Sequence, residues 1–244
     1  MKLIYLLPLL LLTNPAFAQE KADSAKETAV IKGDYRDDWA DLRHYEAGNK
    51  TLPPATANDK RVVFLGSSIF EKWKELVPGY FSSNKNYIDR GISGQISPQL
   101  LLRFRQDVIN RKAKAVIILA GSNDIAGTTG HVTNERIMDN IRSMTELAKA
   151  NNIKVILCAY LPVFDYPWRK GLEPANKIIA LNKLITAYAA ANKLTLLDYF
   201  TPLVDNRNNG QRPELTLDGV HPNVAGYKIM AKVTDEAIAK AFHK

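Results

Sequence analysis

Along the chain, short continuous runs of hydrophobic residues alternate with longer stretches in which hydrophobic residues recur every three or four positions. The continuous runs predict buried strands, at residues 61–65, 87–89, 115–120, 154–160 and 194–197. The periodic stretches predict helices, the main ones at residues 98–110, 134–150, 174–192 and 222–243. Strands that are hydrophobic throughout and alternate with helices indicate parallel pairing through crossover connections. The pattern therefore predicts an α/β fold, a three-layer α/β/α sandwich around a five-stranded parallel sheet.

Residues that favour helix starts precede two of these helices. Ser97 is predicted to cap a helix whose first position is Pro98, and Thr133 is predicted to cap the helix over 134–150. A shorter segment, residues 37–49, places its hydrophobic residues on one face and predicts an additional short helix.

The first 60 residues lack this alternation. Residues 1–18 combine a charged start, a hydrophobic run and an Ala-x-Ala ending, which is the pattern of a signal peptide cleaved after Ala18. The hydrophobic run is short for a bilayer span, so we expect export to a periplasm or the outside with no stable membrane anchor after cleavage. An uncleaved leader that anchors the chain is the alternative. Residues 19–60 are predicted to form an N-terminal arm, a short helix and a linker, and residues 61–244 a single domain.

The composition mainly excludes classes of function and kinds of site. The chain of 244 residues is 46% hydrophobic and 24% charged, which is ordinary for a globular protein. The net charge of +8 favours anionic partners, but the basic residues are spread along the chain without interleaved aromatic residues, so nucleic-acid binding is not expected. The single cysteine, Cys158, lies in a predicted strand, where we expect a buried and unreactive thiol. Metal-binding and nucleotide-binding motifs are absent from the sequence, so neither a metal nor another cofactor is expected.

Small and polar residues follow the predicted strands, at the ends where an open α/β sheet binds its ligands. The four segments are Gly-Ser-Ser-Ile at 66–69, residues 90–95, Gly-Ser-Asn-Asp at 121–124 and Asp-Gly-Val-His-Pro at 218–222. A serine hydroxyl becomes a nucleophile when a base removes its proton. His221 is the one histidine with a carboxylate, Asp218, three residues before it in a glycine-containing loop, and such a carboxylate can orient the imidazole. The backbone N–H at Gly94 and the side-chain amide of Asn123 are suited to donate hydrogen bonds to an oxyanion.

These four segments, in this order and each at its place after a strand, resemble the signature blocks of the SGNH hydrolases, also called GDSL-like hydrolases. The sequence is most similar to the lysophospholipase-like and platelet-activating-factor-acetylhydrolase-like esterases of that family, over roughly residues 61–240. The resemblance implies a flavodoxin-like fold and a metal-free, two-step hydrolysis through an acyl-enzyme. It implies that Ser68 is the nucleophile and that Asp218 and His221 complete the triad.

The resemblance also implies an oxyanion hole, formed by the backbone N–H groups of Ser68 and Gly94 and by the side chain of Asn123. The sequence departs from the family pattern at Ser67, where the family usually has aspartate. The register of the motif selects Ser68 over Ser67 as the nucleophile. A helix-capping or loop hydrogen bond is the alternative role for Ser67.

Aromatic and basic residues near these segments are candidates for substrate binding. Phe70 and Trp73 follow the nucleophile closely, and Trp168 and Arg169 lie in the aromatic segment after the fourth strand. A hydrophobic lid that packs locally is an equally compatible interpretation of the second pair. The remaining histidines are expected to lie on the surface without useful partners: His44, His131 and His243.

The sequence is therefore interpreted as an exported serine esterase that cleaves short-chain carboxylic esters, either acetyl groups on glycans or lysophospholipid-type esters. An O-acyltransferase would use the same triad and deliver the acyl group to a sugar hydroxyl. A catalytically inactive glycan-binding module is the third interpretation. The unusual Ser67 motivates this third interpretation, and the retention of every other signature residue argues against it.

Overall fold

The computed structural model describes residues 38–56 and 58–243. The predicted signal peptide and the first part of the predicted arm lie outside the described residues. All the helices and strands named below lie in one compact unit, from Ala40 onward.

Five parallel strands form the central sheet, in the order β2-β1-β3-β4-β5. They are β1 (Val62–Gly66), β2 (Tyr87–Gly91), β3 (Ala115–Ile118), β4 (Lys154–Ala159) and β5 (Thr195–Asp198). The first and third strands are buried at every position, as expected of continuously hydrophobic strands covered on both faces. The five-stranded parallel sheet is therefore confirmed. A short antiparallel pair, β6 (Val204–Asp205) and β7 (Gly210–Gln211), was not predicted.

Helices cover both faces of this sheet. The helices are α1 (Glu46–Thr51), α2 (Ser68–Leu76), α3 (Pro78–Ser82), α4 (Ser97–Phe104), α5 (Ser122–Ile125), α6 (Asn134–Ala150), α7 (Pro174–Ala191) and α8 (Val224–His243). Helices α4, α6 and α7 contact one another in that order. Helices α2 and α8 meet through Trp73 and Tyr227, whose rings stack with centroids 5.3 Å apart. These two groups of helices enclose the sheet, which confirms the three-layer α/β/α prediction.

The short N-terminal helix differs from the prediction. Helix α1 begins at Glu46, and residues 38–45 form turns instead of the first half of a longer helix. Asp41 adopts a left-handed conformation (φ 52°), which a continuous helix does not allow. The backbone carbonyls of Ala40 and Leu42 accept hydrogen bonds from side chains outside the segment, those of Gln95 and Gln106. Tertiary hydrogen bonds thus replace helical ones.

One predicted cap is confirmed and the other is wrong. The Thr133 side chain accepts a hydrogen bond from the backbone N–H of Arg136 at 3.3 Å. Ser97, by contrast, is the first residue of α4, and Ile96 occupies the cap position. The Ser97 hydroxyl donates to Asp124 at 2.6 Å, so a neighbouring loop uses the side chain that was expected to cap the helix. Helix α4 continues into one π-helical turn, Arg105–Ile109.

The strand order reverses at β1, which has β2 on one side and β3 on the other. Chain segments leaving the carboxyl ends of β1 and β3 turn towards opposite faces there and open a crevice, the usual ligand site of such sheets. The segments that follow β1, β2 and β3 are the predicted signature segments. The topology therefore gathers them at one edge of the sheet.

Candidate active site

Ser68 begins helix α2 directly after β1, and its hydroxyl faces a histidine from the far end of the chain. The Oγ atom of Ser68 lies 2.9 Å from Nε2 of His221. The other ring nitrogen of His221, Nδ1, lies 2.7 Å from Oδ2 of Asp218. These contacts form a continuous series from carboxylate through imidazole to hydroxyl, the arrangement that activates a serine for acyl transfer.

The loop that carries His221 is held by the same carboxylate. Oδ1 of Asp218 accepts the backbone N–H groups of Val220 at 3.0 Å and of His221 at 2.7 Å. Gly219 adopts a left-handed conformation (φ 84°) in this turn, which glycine permits without strain. Burial raises the pKa of Asp218, but the hydrogen bonds from His221 and Val220 outweigh burial, and the pKa lies below its ordinary value. The carboxyl group is therefore ionised at neutral pH.

The two adjacent serines occupy different environments. Ser67 precedes the first turn of α2, is buried and makes no capping hydrogen bond. Its side chain lies beside the hydroxyl of the buried Tyr160. Ser68 is only partly buried and lines an open cavity of about 400 Å³ together with His221. Of the two hydroxyls, that of Ser68 combines access to the cavity with a contact to the histidine.

The other predicted oxyanion donors, Gly94 and Asn123, line the same cavity as Ser68. Gly94 has a φ of 77°, in the left-handed region that favours glycine. The side-chain amide of Asn123 donates to the carbonyl oxygen of Gln95 at 2.9 Å, which joins the loop after β3 to the loop after β2. The structure thus brings all three residues of the predicted oxyanion hole to one cavity.

A buried arginine that no sequence motif indicated supports this arrangement. The guanidinium of Arg103, on α4, donates from Nη2 to the carbonyl oxygens of Gly66 at 2.8 Å and Arg90 at 2.7 Å, at the ends of β1 and β2. Its Nε donates to the side chain of Gln95 at 2.6 Å, and its Nη1 pairs with Asp107 at 2.9 Å. Arg103 therefore ties the strand before Ser68 to the loop that carries Gly94. The available signal was an arginine and an aspartate four residues apart, at positions in phase with the hydrophobic face of the segment that contains Leu100 and Phe104.

Asp124 braces the third signature segment. Its carboxylate accepts the backbone N–H of Ser97 at 2.9 Å as well as the Ser97 hydroxyl, so the loop after β3 is fastened to the start of α4. Burial raises the pKa of Asp124, and the hydrogen bonds from Ser97 oppose that shift.

The expectation that Phe70 and Trp73 bind substrate is wrong. Both side chains are fully buried, and their rings pack edge-on against Phe64 with centroids 5.5 Å and 6.1 Å away. The first turn of α2 presents Ser68 to the cavity. Positions 70 and 73 lie on the face that covers the sheet, so their hydrophobic surface belongs to the core.

Trp168 and Arg169 line the same cavity as Ser68 and His221. Trp168 is 55% exposed, and its ring centroid is 6.0 Å from that of His221. The Nη1 atom of Arg169 donates to the carbonyl oxygens of Ala126 at 2.8 Å and Gly127 at 2.5 Å. These two hydrogen bonds hold the guanidinium at the mouth of the cavity.

One of the remaining histidines differs from the prediction. His44 was expected to have no partner, and this is wrong, because its Nδ1 lies 3.0 Å from Oδ2 of Asp41. This second Asp-x-x-His pair is exposed, and within residues 38–56 and 58–243 no serine hydroxyl hydrogen-bonds to it. Local spacing alone therefore does not distinguish a catalytic pair from a surface pair.

Other features of the described chain lie apart from this chemistry. A cavity of about 550 Å³ between α7 and β5 contains no histidine, and its one carboxylate, Asp198, is used by backbone N–H groups of the following turn. Cys158 is buried, and burial raises the pKa of its thiol. Among the described residues there is no cluster of three or more side chains placed to hold a metal ion. None of the described helices has the length and hydrophobicity needed to cross a membrane.

Residues 64–229 match the sequence profile of the GDSL-like lipase/acylhydrolase family. The chain belongs to this family. This GDSL-like protein is 46% identical to a GDSL-like lipase from Bacteroides thetaiotaomicron, whose crystal structure superposes with a TM-score of 0.81 over 84% of this chain and 100% of that one. A Bacteroides fragilis protein described as an acylhydrolase gives the same identity and TM-score, over 83% of this chain and 98% of that one. The protein is therefore a carboxylic ester hydrolase, as predicted.

Two more distant similarities give weaker evidence about function than these two structures do. An acetyl xylan esterase shares the fold, with 23% identity and a TM-score of 0.62 over 72% of this chain and 98% of that one. The uncharacterized lipoprotein YqeF of Bacillus subtilis (strain 168) is 29% identical over 98 residues, which are 39% of this chain and 40% of the relative. The chain thus matches less than half the length of that relative.

Proposed function

We propose that this acylhydrolase is a serine esterase in which Ser68, His221 and Asp218 form the catalytic triad. The observation that carries the proposal is the pair of contacts, 2.9 Å and 2.7 Å, that joins the hydroxyl, the imidazole and the carboxylate in series. The position of Ser68 at the carboxyl end of β1, in an open cavity, supports the same assignment.

The three residues of the triad have different roles in the reaction. His221 removes the proton from Ser68 through Nε2 as Oγ attacks the ester carbonyl carbon. The protonated ring then gives this proton to the leaving alcohol oxygen, and the acyl group remains on Ser68. A water molecule, deprotonated by the same nitrogen, attacks the acyl-enzyme and releases the carboxylic acid. Asp218 accepts a hydrogen bond from Nδ1–H of His221 throughout and stabilises the imidazolium.

The negative charge that develops on the carbonyl oxygen is stabilised by donors around the cavity. We assign this role to the backbone N–H groups of Ser68 and Gly94 and to the amide of Asn123. One such donor typically contributes about 10²- to 10³-fold in turnover. Asn123 already donates to the Gln95 carbonyl, and this bond fixes its side chain beside the loop that carries Gly94.

The volume and lining of the cavity favour a substrate with a short acyl group and a hydrophilic alcohol. Its volume of about 400 Å³ accommodates a small ligand. Most of its lining side chains are short or polar, among them Ser93, Ser122 and Thr128. A long acyl chain would need a continuous hydrophobic channel to leave water. We therefore propose acetyl and similarly short esters of carbohydrates as substrates, in preference to lysophospholipid-type esters.

The test is hydrolysis of p-nitrophenyl acetate, butyrate and octanoate by the purified chain, beside Ser68→Ala and the matched control Ser67→Ala. We expect activity on the acetate to exceed that on the octanoate and to disappear only in Ser68→Ala. Loss in Ser67→Ala with retention in Ser68→Ala would move the nucleophile by one residue. Absence of hydrolysis by the unmutated chain would contradict the esterase proposal. Transfer of the acetyl group to an added sugar in preference to water would favour the acyltransferase.

We also propose that the protein is exported, on the basis of the leader-like pattern in residues 1–18. The test is cell fractionation of the full chain followed by N-terminal sequencing, which is expected to find a mature product beginning at Gln19. Retention of the leader on a membrane-bound product would support the anchored alternative. The predicted domain boundary at residue 61 stays a prediction.

A further inference from the structure

Two basic side chains line the cavity beside Ser68. Lys72 lies one helical turn after Ser68 on α2, so both side chains project from the same side of that helix. Arg169 reaches the cavity from the segment after β4. Among the described residues that line the cavity there is no aspartate or glutamate, because Asp218 lies behind His221. The charged side chains that line this cavity, Lys72 and Arg169, are therefore both cations.

These two charges are not neutralised by the described part of the chain. Lys72 makes no ion pair or hydrogen bond with a described residue. The carboxylate of the adjacent Glu71 accepts the backbone N–H of Ser93 at 3.1 Å and the Ser93 hydroxyl, and it forms no ion pair with Lys72. Arg169 donates only to backbone carbonyl oxygens, which carry no net charge. A cation without a protein counter-ion beside a binding cavity favours an anionic ligand.

Trp168 adds an exposed aromatic face to the same cavity, next to the histidine. Its ring is inclined by 32° to that of His221, with the centroids 6.0 Å apart. A side chain of this size left 55% exposed at the cavity offers a flat apolar surface that a sugar ring can cover. Together, the aromatic face, the hydroxyl-bearing lining and the two cations fit a ligand that is both carbohydrate and anionic.

We propose that the alcohol part of the natural substrate is a sugar that bears a carboxylate. In this reaction the acyl C–O bond breaks, the sugar oxygen receives the proton from His221, and water supplies the hydroxyl group of the released short-chain acid. Lys72 and Arg169 bind the sugar carboxylate while the ring packs on Trp168. This inference rests on the proposed function of the same site and adds the class of its alcohol.

A matched pair of substrates tests the charge directly. The pair is an O-acetylated methyl galacturonoside with a free carboxylate and the same compound with that carboxylate converted to its methyl ester. We expect the ratio of kcat/KM for the acid to that for the methyl ester to lie well above one at low ionic strength and to fall as salt is added. An exposed ion pair contributes up to about fivefold, so Lys72→Gln is expected to lower the ratio roughly threefold to fivefold.

Variants of the same helix supply the controls. Lys72→Arg keeps the charge and is expected to keep the ratio, whereas Lys72→Glu is expected to lower it further than Lys72→Gln does. Lys74→Gln removes an exposed cation from α2 that does not line the cavity, and the ratio is expected to stay at the unmutated value.

Three results would overturn the inference. They are equal kcat/KM values for the acid and the methyl ester, equal shifts in Lys72→Gln and Lys74→Gln, and a preference for an anionic lysophospholipid over the acidic sugar. Each of these leaves the esterase proposal intact if p-nitrophenyl acetate is still hydrolysed through Ser68. Loss of that hydrolysis in the unmutated chain would mark failure of the proposed function itself.

Discussion

Replacement of Arg103 by methionine is the sharpest structural test of how the site is held together. The side chain is fully buried, and its guanidinium connects the carbonyl oxygens of Gly66 and Arg90, the side chain of Gln95 and the carboxylate of Asp107. Methionine has a similar length and no donor, so these four acceptors lose a buried partner while little volume is lost.

The size of the effect follows from the buried charge that the substitution leaves without its partner. Asp107 is 1% exposed and would retain only the more distant Arg90, whose Nε lies 3.7 Å from it. Breaking a buried ion pair by removing one partner typically costs about 3–5 kcal/mol, because the other charge stays buried. For a chain of this size we expect a Tm roughly 6 to 20 °C lower. Loosening of the Gln95 loop should also lower kcat while the variant is still folded.

The assay is thermal unfolding by circular dichroism together with kcat for p-nitrophenyl acetate at 15 °C. The double variant Arg103→Met/Asp107→Leu removes both charges, so we expect it to recover much of the stability. It leaves the strand-end carbonyl oxygens and Gln95 without their donor, so we do not expect it to recover kcat. An Arg103→Met variant with unchanged Tm would refute the reasoning, and a double variant with native kcat would refute the link to the active site.

Three further predictions concern single residues. Asp218→Asn leaves His221 without its carboxylate, so kcat is expected to fall by about 10³- to 10⁴-fold with the fold intact, and a loss below tenfold would count against the triad. Burial raises the pKa of Asp89 from 3.8 to about 6. The folded chain therefore binds the extra proton between those values, and its stability declines as the pH rises through them. Asp89→Asn removes this decline, so its Tm relative to the unmutated chain is expected to rise between about pH 4 and pH 7; a constant difference would contradict this. Gly91→Ala would place a methyl carbon 2.3 Å from the backbone nitrogen of Glu71. Its Tm and activity should both fall, whereas Gly48→Ala, which meets nothing within 4 Å, should lower neither.

Much of this protein could be predicted because its signals are local. The hydrophobic runs that became β1, β3 and β4 must be buried on both faces wherever they lie, and that requirement specifies parallel strands covered by helices. The spacing of Asp218 and His221 is likewise short enough for a single turn to bring them together. The order of the signature segments then indicated the family, because each follows a strand end at which such sheets bind ligands.

Other features depended on residues distant in sequence. Residues 38–45 have the pattern of a helix, yet their carbonyl oxygens accept hydrogen bonds from Gln95 and Gln106, which no local pattern reveals. Phe70 and Trp73 resembled binding residues because both follow the nucleophile. The packing of α2 against the sheet buries the helix face that carries Phe70 and Trp73. It leaves the face that carries Ser68 and Lys72 open to the cavity.

Backbone geometry and hydrophobic periodicity act over a few residues, so they predicted the five strands of the sheet, the main helices and the residue types that carry the chemistry. Contacts between side chains distant in sequence depended on the tertiary structure. Ser68 and His221 are 153 residues apart, and their hydrogen bond exists because β1 and the loop before α8 end at the same edge of the sheet. The role of Arg103 has the same origin, since its partners come from the ends of two strands and a loop that only packing brings together.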